Sequence, residues 1–167
     1  MSVASPHICR ADYANARHAR ALVDLLDAYA QDPMGGGEPL SAFAKQNLVA
    51  CLAARPQAFS VLAFADADES QPLGLVNCIE GFSTFACRPL VNVHDVAVLP
   101  AYRGQRVAER MFELVRAIAR ERSACKLTLE VLSGNSGALR LYTRMGFARY
   151  QLDPAAGSAQ LMQKWLD

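Results

Sequence analysis

The stretch His94-Asp-Val-Ala-Val-Leu-Pro-Ala-Tyr-Arg-Gly-Gln-Arg-Val-Ala-Glu-Arg110 decides how the chain is read. It has the pattern of a buried strand's end, a tight turn closed by Pro100 and Gly104, and the first turns of an amphipathic helix. Backbone N–H groups at a helix start lack intrahelical acceptors, so such a place binds anions. Arg103, Arg106 and Arg110 crowd this start, where the helix dipole disfavours an exposed cation by ~0.3 to 1 kcal/mol. Local rules broken in this way are expected where function overrides folding consistency. A bound polyanion would offset the cost; arginines extended into solvent are the plain alternative, because their stems pack while their heads stay wet.

Working outward, Val91 to Leu99 reads as a long strand that delivers the chain into this turn. The helix beginning near Gln105 and ending near Ser123 keeps Val107, Met111, Leu114, Val115 and Ile118 on one face. Lys126 to Leu132 is then expected to return parallel to Val91–Leu99, because a helix separates the two. Ser133-Gly134-Asn135 leads into a short helix, Ser136 to Met145, closed by Gly146. Phe147 to Leu152 and Ala159 to Leu166 read as a terminal hairpin joined by Asp153 to Gly157.

Upstream, His7 to Arg10 forms a short first strand, and Asp12 caps a helix from about Tyr13 to Ala30 with Leu22, Val23, Leu25, Leu26 and Tyr29 on its buried stripe. Asp32 to Pro39, with Gly35, Gly36 and Gly37, is a loop, readable as a mobile lid or as a slack connector. A second helix from about Ser41 to Ala53 carries Phe43, Leu48, Val49 and Leu52. The period then changes to strands at Phe59 to Ala65 and within Pro72 to Phe85, joined by the polar turn Asp66 to Gln71.

With 167 residues and 52 % hydrophobic content, a single domain with a real core is expected. Cys9, Cys51, Cys78, Cys87 and Cys125 form no C-x-x-C pair, so neither a zinc site nor a disulfide framework is indicated, and reduced cytoplasmic thiols are the simplest reading. No apolar run is long enough to span a bilayer, and Met1 to His7 lacks the parts of a signal peptide, so no membrane is expected. A net charge of +1 argues against nucleic acid as the main partner. Its distribution says more: residues 1–80 hold five Lys or Arg against nine Asp or Glu, and residues 81–167 hold twelve against seven. A basic half for an anionic ligand and an acidic half for a cationic one would look like this.

Two motifs in this frame resemble the GNAT superfamily of acyl-CoA-dependent N-acetyltransferases. One is Arg103-Gly104-Gln105-Arg106-Val107-Ala108, preceded by Val98-Leu99-Pro100-Ala101-Tyr102; the other is Asn135 followed by Ala138, Leu141, Tyr142, Gly146 and Phe147. The resemblance implies a single α/β (α+β) domain over 1–167 with a mixed, mostly antiparallel sheet, a splayed parallel strand pair, and helices on both faces. It implies acetyl-CoA as cosubstrate, with no metal, and a homodimer. Val96, Ala97 and Val98 would hold the pantetheine arm and polarise the thioester, residues 103–108 would cradle the pyrophosphate, and Asn135 would contact pantetheine or cap its helix. Arg106 departs from the family's glycine; at helical angles it would keep the N–H cradle and add a phosphate contact or crowd the site.

Acetyl transfer needs a neutral amine, oxyanion stabilisation and a proton for the departing thiolate. By resemblance Tyr142 supplies that proton; packing beside Leu139 and Met145 is its plain alternative. Glu80, His94 and Asp95 are the candidates on the acceptor side, histidine being the residue type suited to proton transfer near neutral pH. Strand alternation puts His94 with Asn92, Val96 and Val98, and Asp95 with Val93 and Ala97, so only one faces the acceptor unless a bulge intervenes. The region also resembles the diamine and spermidine/spermine acetyltransferase branch, with His94 in place of one acid. The expected acceptor is the primary amine of a small molecule, a diamine, amino acid or similar, rather than a tri- or tetracationic polyamine; a protein N-terminus and a non-catalytic acyl-CoA-binding module are the rivals.

Overall fold

Seven consecutive residues, Ala58–Phe64, are buried without exception, as a strand covered on both faces must be. A computed structural model of the chain describes residues 5–150, 153, 155, 157 and 159–166. It divides into two compact units, Met1–Leu132 and Ser133–Asp167.

The first unit is a five-stranded sheet in the order β1-β2-β3-β4-β5. Its strands are β1 (His7–Arg10), β2 (Ala58–Phe64), β3 (Pro72–Ser83), β4 (Arg88–Val98) and β5 (Leu127–Leu129). The first four pair antiparallel and β5 joins β4 parallel. Helices α1 (Ala16–Ala30) and α2 (Ala42–Ala53) cover one face and α3 (Val107–Glu121) the other. Leu22 and Leu25 of α1 meet Leu62, Phe64, Leu75 and Ala97 in one cluster, each leucine contributing about 1.5–3 kcal/mol on burial. On the opposite face α3 comes so close that a Cβ on Gly74 would stand 2.9 Å from Met111 Cε and 2.8 Å from Ala97 O.

Several boundaries differ from the sequence reading. Helix α1 starts at Ala16 because Asn15, not Asp12, is its cap, its Oδ1 accepting from the N–H of Arg17 and His18; Asp12 caps the preceding turn through the Ala14 N–H. Phe43, expected on the buried side of α2, is 74 % exposed, and that helix meets the α1 cluster through the half-buried Leu48, Val49 and Leu52. Strand β4 begins three residues earlier than expected, at Arg88, and β5 stops at Leu129 rather than Leu132. The glycine loop is no slack connector: Asp32 O accepts from the N–H groups of Gly35, Gly36 and Gly37, and Asp32 Oδ1 accepts from Met34 N–H at 2.9 Å.

The second unit contains α4 (Ser136–Arg144), capped by Asn135 and terminated at Gly146 with φ 88°. The described parts of the expected terminal hairpin, 147–150 and 159–166, hold no strand, while residues 151 and 152 lie outside the described residues. A two-stranded ribbon alone is marginal in water, and Leu161, Met162, Trp165 and Leu166 are 83–88 % exposed, leaving the alternation there without a surface to bury against.

Candidate active site

Strands β3 and β4 keep perfect antiparallel register up to Asn77↔Asp95, and then Cys78 pairs with Val93. His94 is therefore the extra residue of a β-bulge. The bulge puts Asp95 on the face of Ala97 and α1 while Val93 turns to the α3 face, so the simple alternation that grouped Asp95 with Val93 does not hold. Bulges bend a strand and raise its twist, and here the parallel neighbour is lost at the same point: β5 pairs with Val91, Asn92 and Val93 and goes no further. Beyond it the strand keeps β3 on one side only. Leu99 N–H donates to Leu73 O at 2.9 Å, so by antiparallel alternation Val96 and Val98 turn their own N–H and C=O groups to the open edge.

The open edge runs into the turn. A single 3-10 turn, Pro100–Tyr102, is followed by Gly104 at φ 75° and Arg106 at φ 60°, ψ 21°, and α3 starts at Val107 with no side chain capping it. The expectation of helical angles at Arg106 is corrected here: the chain needs a left-handed residue to swing into α3, which is a second reason for glycine at this position besides room for a phosphate. Buried Val107 and Ala108 anchor the helix start in the core, and Arg106 gives it no side-chain cap, a setting suited to an anion.

The three arginines have different surroundings. Arg103 donates from Nε to Val98 O at 3.0 Å and from its terminal nitrogen to Asp32 Oδ2 at 2.9 Å. Arg110 reaches Ser5 Oγ at 3.2 Å. Arg106 is exposed and enters no ion pair among the described residues. The Met34 N–H and then the Arg103 guanidinium hold Asp32 below the usual carboxylate range.

On the α1 face a line of hydrogen bonds crosses three elements. Tyr13 OH meets Ser60 Oγ at 2.9 Å, Ser60 donates to Asn77 Oδ1 at 2.6 Å, and Asn77 Nδ2 donates to Asp95 Oδ2 at 3.0 Å. Ser60 and Asn77 are buried, so these bonds satisfy polar groups that would otherwise be costly. Burial raises the Tyr29 hydroxyl above its ordinary value, and the charges of Asp95 and Asp32 add to the effect; both carboxylates thus act on one phenol. His94 is exposed, its Nδ1 3.4 Å from Asn92 Oδ1, and Asn92 Nδ2 donates to Glu130 Oε2 at 3.2 Å. Glu80 stands apart from this group. It is paired with Arg122 at 3.0 Å, whose guanidinium lies 4.8 Å above the Phe59 ring, and its register with Val91 puts it on the α3 face.

Parallel pairing that stops at Val93 and a helix start without a side-chain cap are in keeping with the splayed strand pair that the motifs implied, and the profile of the acetyltransferase (GNAT) family matches residues 22–147. The chain belongs to the GNAT family. It is 38 % identical over 65 residues to the streptothricin acetyltransferase of Streptomyces lavendulae, a segment covering 39 % of this chain and 34 % of that enzyme. The same fold is seen in the ribosomal-protein-alanine N-acetyltransferase from Brucella melitensis biovar Abortus 2308, with a TM-score of 0.69 and 20 % identity over 96 % of this chain and 100 % of that one. It is also seen in AAC(6')-Iy bound to the bisubstrate analog CoA-S-monomethyl-acetylneamine, with a TM-score of 0.73 and 16 % identity over 98 % and 100 %. No helix among the described residues is long and apolar enough to cross a membrane.

The second GNAT motif lies in the second unit. Asn135 Oδ1 accepts from Ala138 N–H at 3.1 Å, so it caps α4. Tyr142 is half-buried on α4 with its ring edge-on to Phe147, centroids 5.9 Å apart. Sequence reasoning overlooked Tyr29, Asp32, Ser60 and Asn77. The signal for Ser60 and Asn77 was available, each being a polar residue inside a strand of otherwise apolar ones, whereas Asp32 and Tyr29 gain meaning only from the loop they hold.

Proposed function

We propose that residues 1–167 work as one acetyl-CoA-dependent N-acetyltransferase domain that acylates the primary amine of a small cationic molecule by direct attack. The observation that carries this reading is the bulge at His94 together with the end of β5 pairing at Leu129. The thioester would lie against the edge offered by Val96, with its carbonyl polarised by backbone N–H, and the pyrophosphate over Gly104 to Ala108. Asn135 would meet the pantetheine arm without giving up its cap. The amine nitrogen attacks the thioester carbon, the C–S bond breaks, Tyr142 gives its proton to the departing thiolate, and the amine's proton leaves through Asp95 or His94.

The acceptor is proposed as a cation because Asp32, Asp95 and Glu130 gather around the α1 face and the bulge. Likeness to the diamine branch and to a streptothricin acetyltransferase both favour amines carrying a second positive charge. Glu80, held by Arg122, takes no part in this version. A cytoplasmic homodimer is the proposed working state, and sedimentation analysis of the purified chain tests the dimer.

The decisive assay is thiol release from acetyl-CoA with a panel of diamines, amino acids and streptothricin-like amines, beside Tyr142→Phe. Loss of general acid catalysis should lower kcat by roughly 10²- to 10⁴-fold, with acetyl-CoA affinity kept. Binding of acetyl-CoA without turnover of any amine, in both proteins alike, would favour the acyl-CoA-binding module instead.

A further inference from the structure

At the opposite edge of the sheet, β1 places His7 and Cys9 two residues apart and therefore on one face. Cys9 packs toward the α1 cluster, so this is the face that α1 covers. The β2–β3 turn folds back over the same edge and brings Glu69 into reach. One ring nitrogen of His7, Cys9 Sγ and one carboxylate oxygen of Glu69 lie within 4.8 Å of one another. Glu69 Oε1 is 3.4 Å from His7 Nε2.

A fourth residue, His18, defines the role of the carboxylate. The Asp12 backbone N–H donates to His18 Nδ1 at 3.0 Å, so that nitrogen carries no proton. The proton of neutral His18 is on Nε2, which donates to Glu69 Oε2 at 2.9 Å. His18 is buried, its side chain 8 % exposed, and its ring stacks on Phe64. Its tautomer is thus set by a backbone group, and it holds Glu69 as an outer-shell partner holds a ligating carboxylate. Glu69 Oε1 is left to His7.

We propose that His7, Cys9 and Glu69 form a binding site for a divalent transition metal, zinc by preference, oriented by His18. One thiolate, one imidazole and one carboxylate make a donor set suited to zinc, with a fourth position for water or an outside ligand. Tetrahedral bonds of about 2.0–2.3 Å put ligand atoms roughly 3.3–3.8 Å apart, so the three atoms need to close by about 1 Å. His7, 39 % exposed, is free to supply that movement by turning its ring. Zinc binding displaces the Cys9 thiol proton to solvent and forms the Zn–S bond, and the two anionic ligands then balance the ion's charge. The site shares no residue with the gap at β4. Scattered cysteines gave no hint of it, because a single cysteine is joined by ligands from another element.

Cobalt(II) titration of the metal-free 167-residue chain tests the site. The expected result is one equivalent bound, with a thiolate-to-cobalt charge-transfer band in the near ultraviolet that zinc abolishes by displacement. Cys9→Ser should lose the band, while Cys51→Ser with Cys87→Ser should keep it. His7→Gln changes an exposed side chain and leaves the core alone; it should weaken zinc binding at least ~10-fold, and His18→Gln should do so by roughly 10- to 100-fold. No thiolate band, a band that survives Cys9→Ser, or unchanged zinc affinity in His7→Gln would overturn the proposal and leave the cluster as an ion-pair network only.

Discussion

At φ 60° and ψ 21°, Arg106 occupies left-handed backbone, which costs a residue with a Cβ roughly 1–2 kcal/mol. Arg106→Gly removes that strain but adds freedom to the unfolded chain worth about 0.4–1 kcal/mol. The net gain should be about 0.5–1 kcal/mol, since no ion pair of Arg106 among the described residues is lost with it. For a chain of this size that corresponds to a rise in Tm of about 1–4 °C. The same substitution takes away the exposed guanidinium at the proposed donor cradle. A charge-assisted contact there, worth about 1.5–3 kcal/mol, would appear as a roughly 10- to 100-fold weaker acetyl-CoA dissociation constant. Thermal unfolding by circular dichroism and calorimetric titration with acetyl-CoA read the two effects separately. A variant that melts lower than the parent would refute the backbone reasoning, and an unchanged dissociation constant would remove the guanidinium from the donor site. If both occur, Arg106 is neither strained nor a phosphate contact.

A Cβ on Gly35 would stand 1.9 Å from Tyr29 O, so Gly35→Ala should destabilise the chain by about 1–3 kcal/mol through overpacking, measured by urea unfolding; a neutral result would mean that the loop is loosely held. The depressed Asp32 carboxyl, stabilised by the Met34 N–H and then Arg103, contributes stability that is present above the ordinary aspartate value and is lost as pH falls through its lower folded value. Denaturation curves between pH 6 and pH 2 should therefore be less steep in pH for Asp32→Asn than for the parent, and equal slopes would contradict the ion pair's role.

The sequence was legible where one local rule acted alone. Periodicity located α1, α2 and α3, the turn at Asn135 and the stop at Gly146 located α4, and the crossover rule assigned β5 as parallel to β4. The bulge at His94 could not be read in this way, because it is a matter of register between two strands and leaves no mark on the apolar pattern of either. Arg106 was legible as an anomaly, yet its cause was partly mistaken: a left-handed turn requires the backbone of glycine, independent of any ligand. Glu80 illustrates a further limit. Its strand was right, but its face depends on which side α3 delivers Arg122. The terminal hairpin is not borne out at residues 147–150 and 159–166, which hold no strand, because alternation alone does not enforce pairing.

Arg103 joins Val98 O to Asp32 with one side chain, and this has a kinetic meaning. A donor that takes the Val98 carbonyl must displace the guanidinium from it, and a guanidinium drawn toward the donor's phosphates also leaves Asp32. The face near Tyr29, where Asp95 already enters no ion pair among the described residues, would then gain a second unneutralised carboxylate once the donor has arrived. A cationic amine should therefore bind second, with the donor-loaded enzyme as its true receptor.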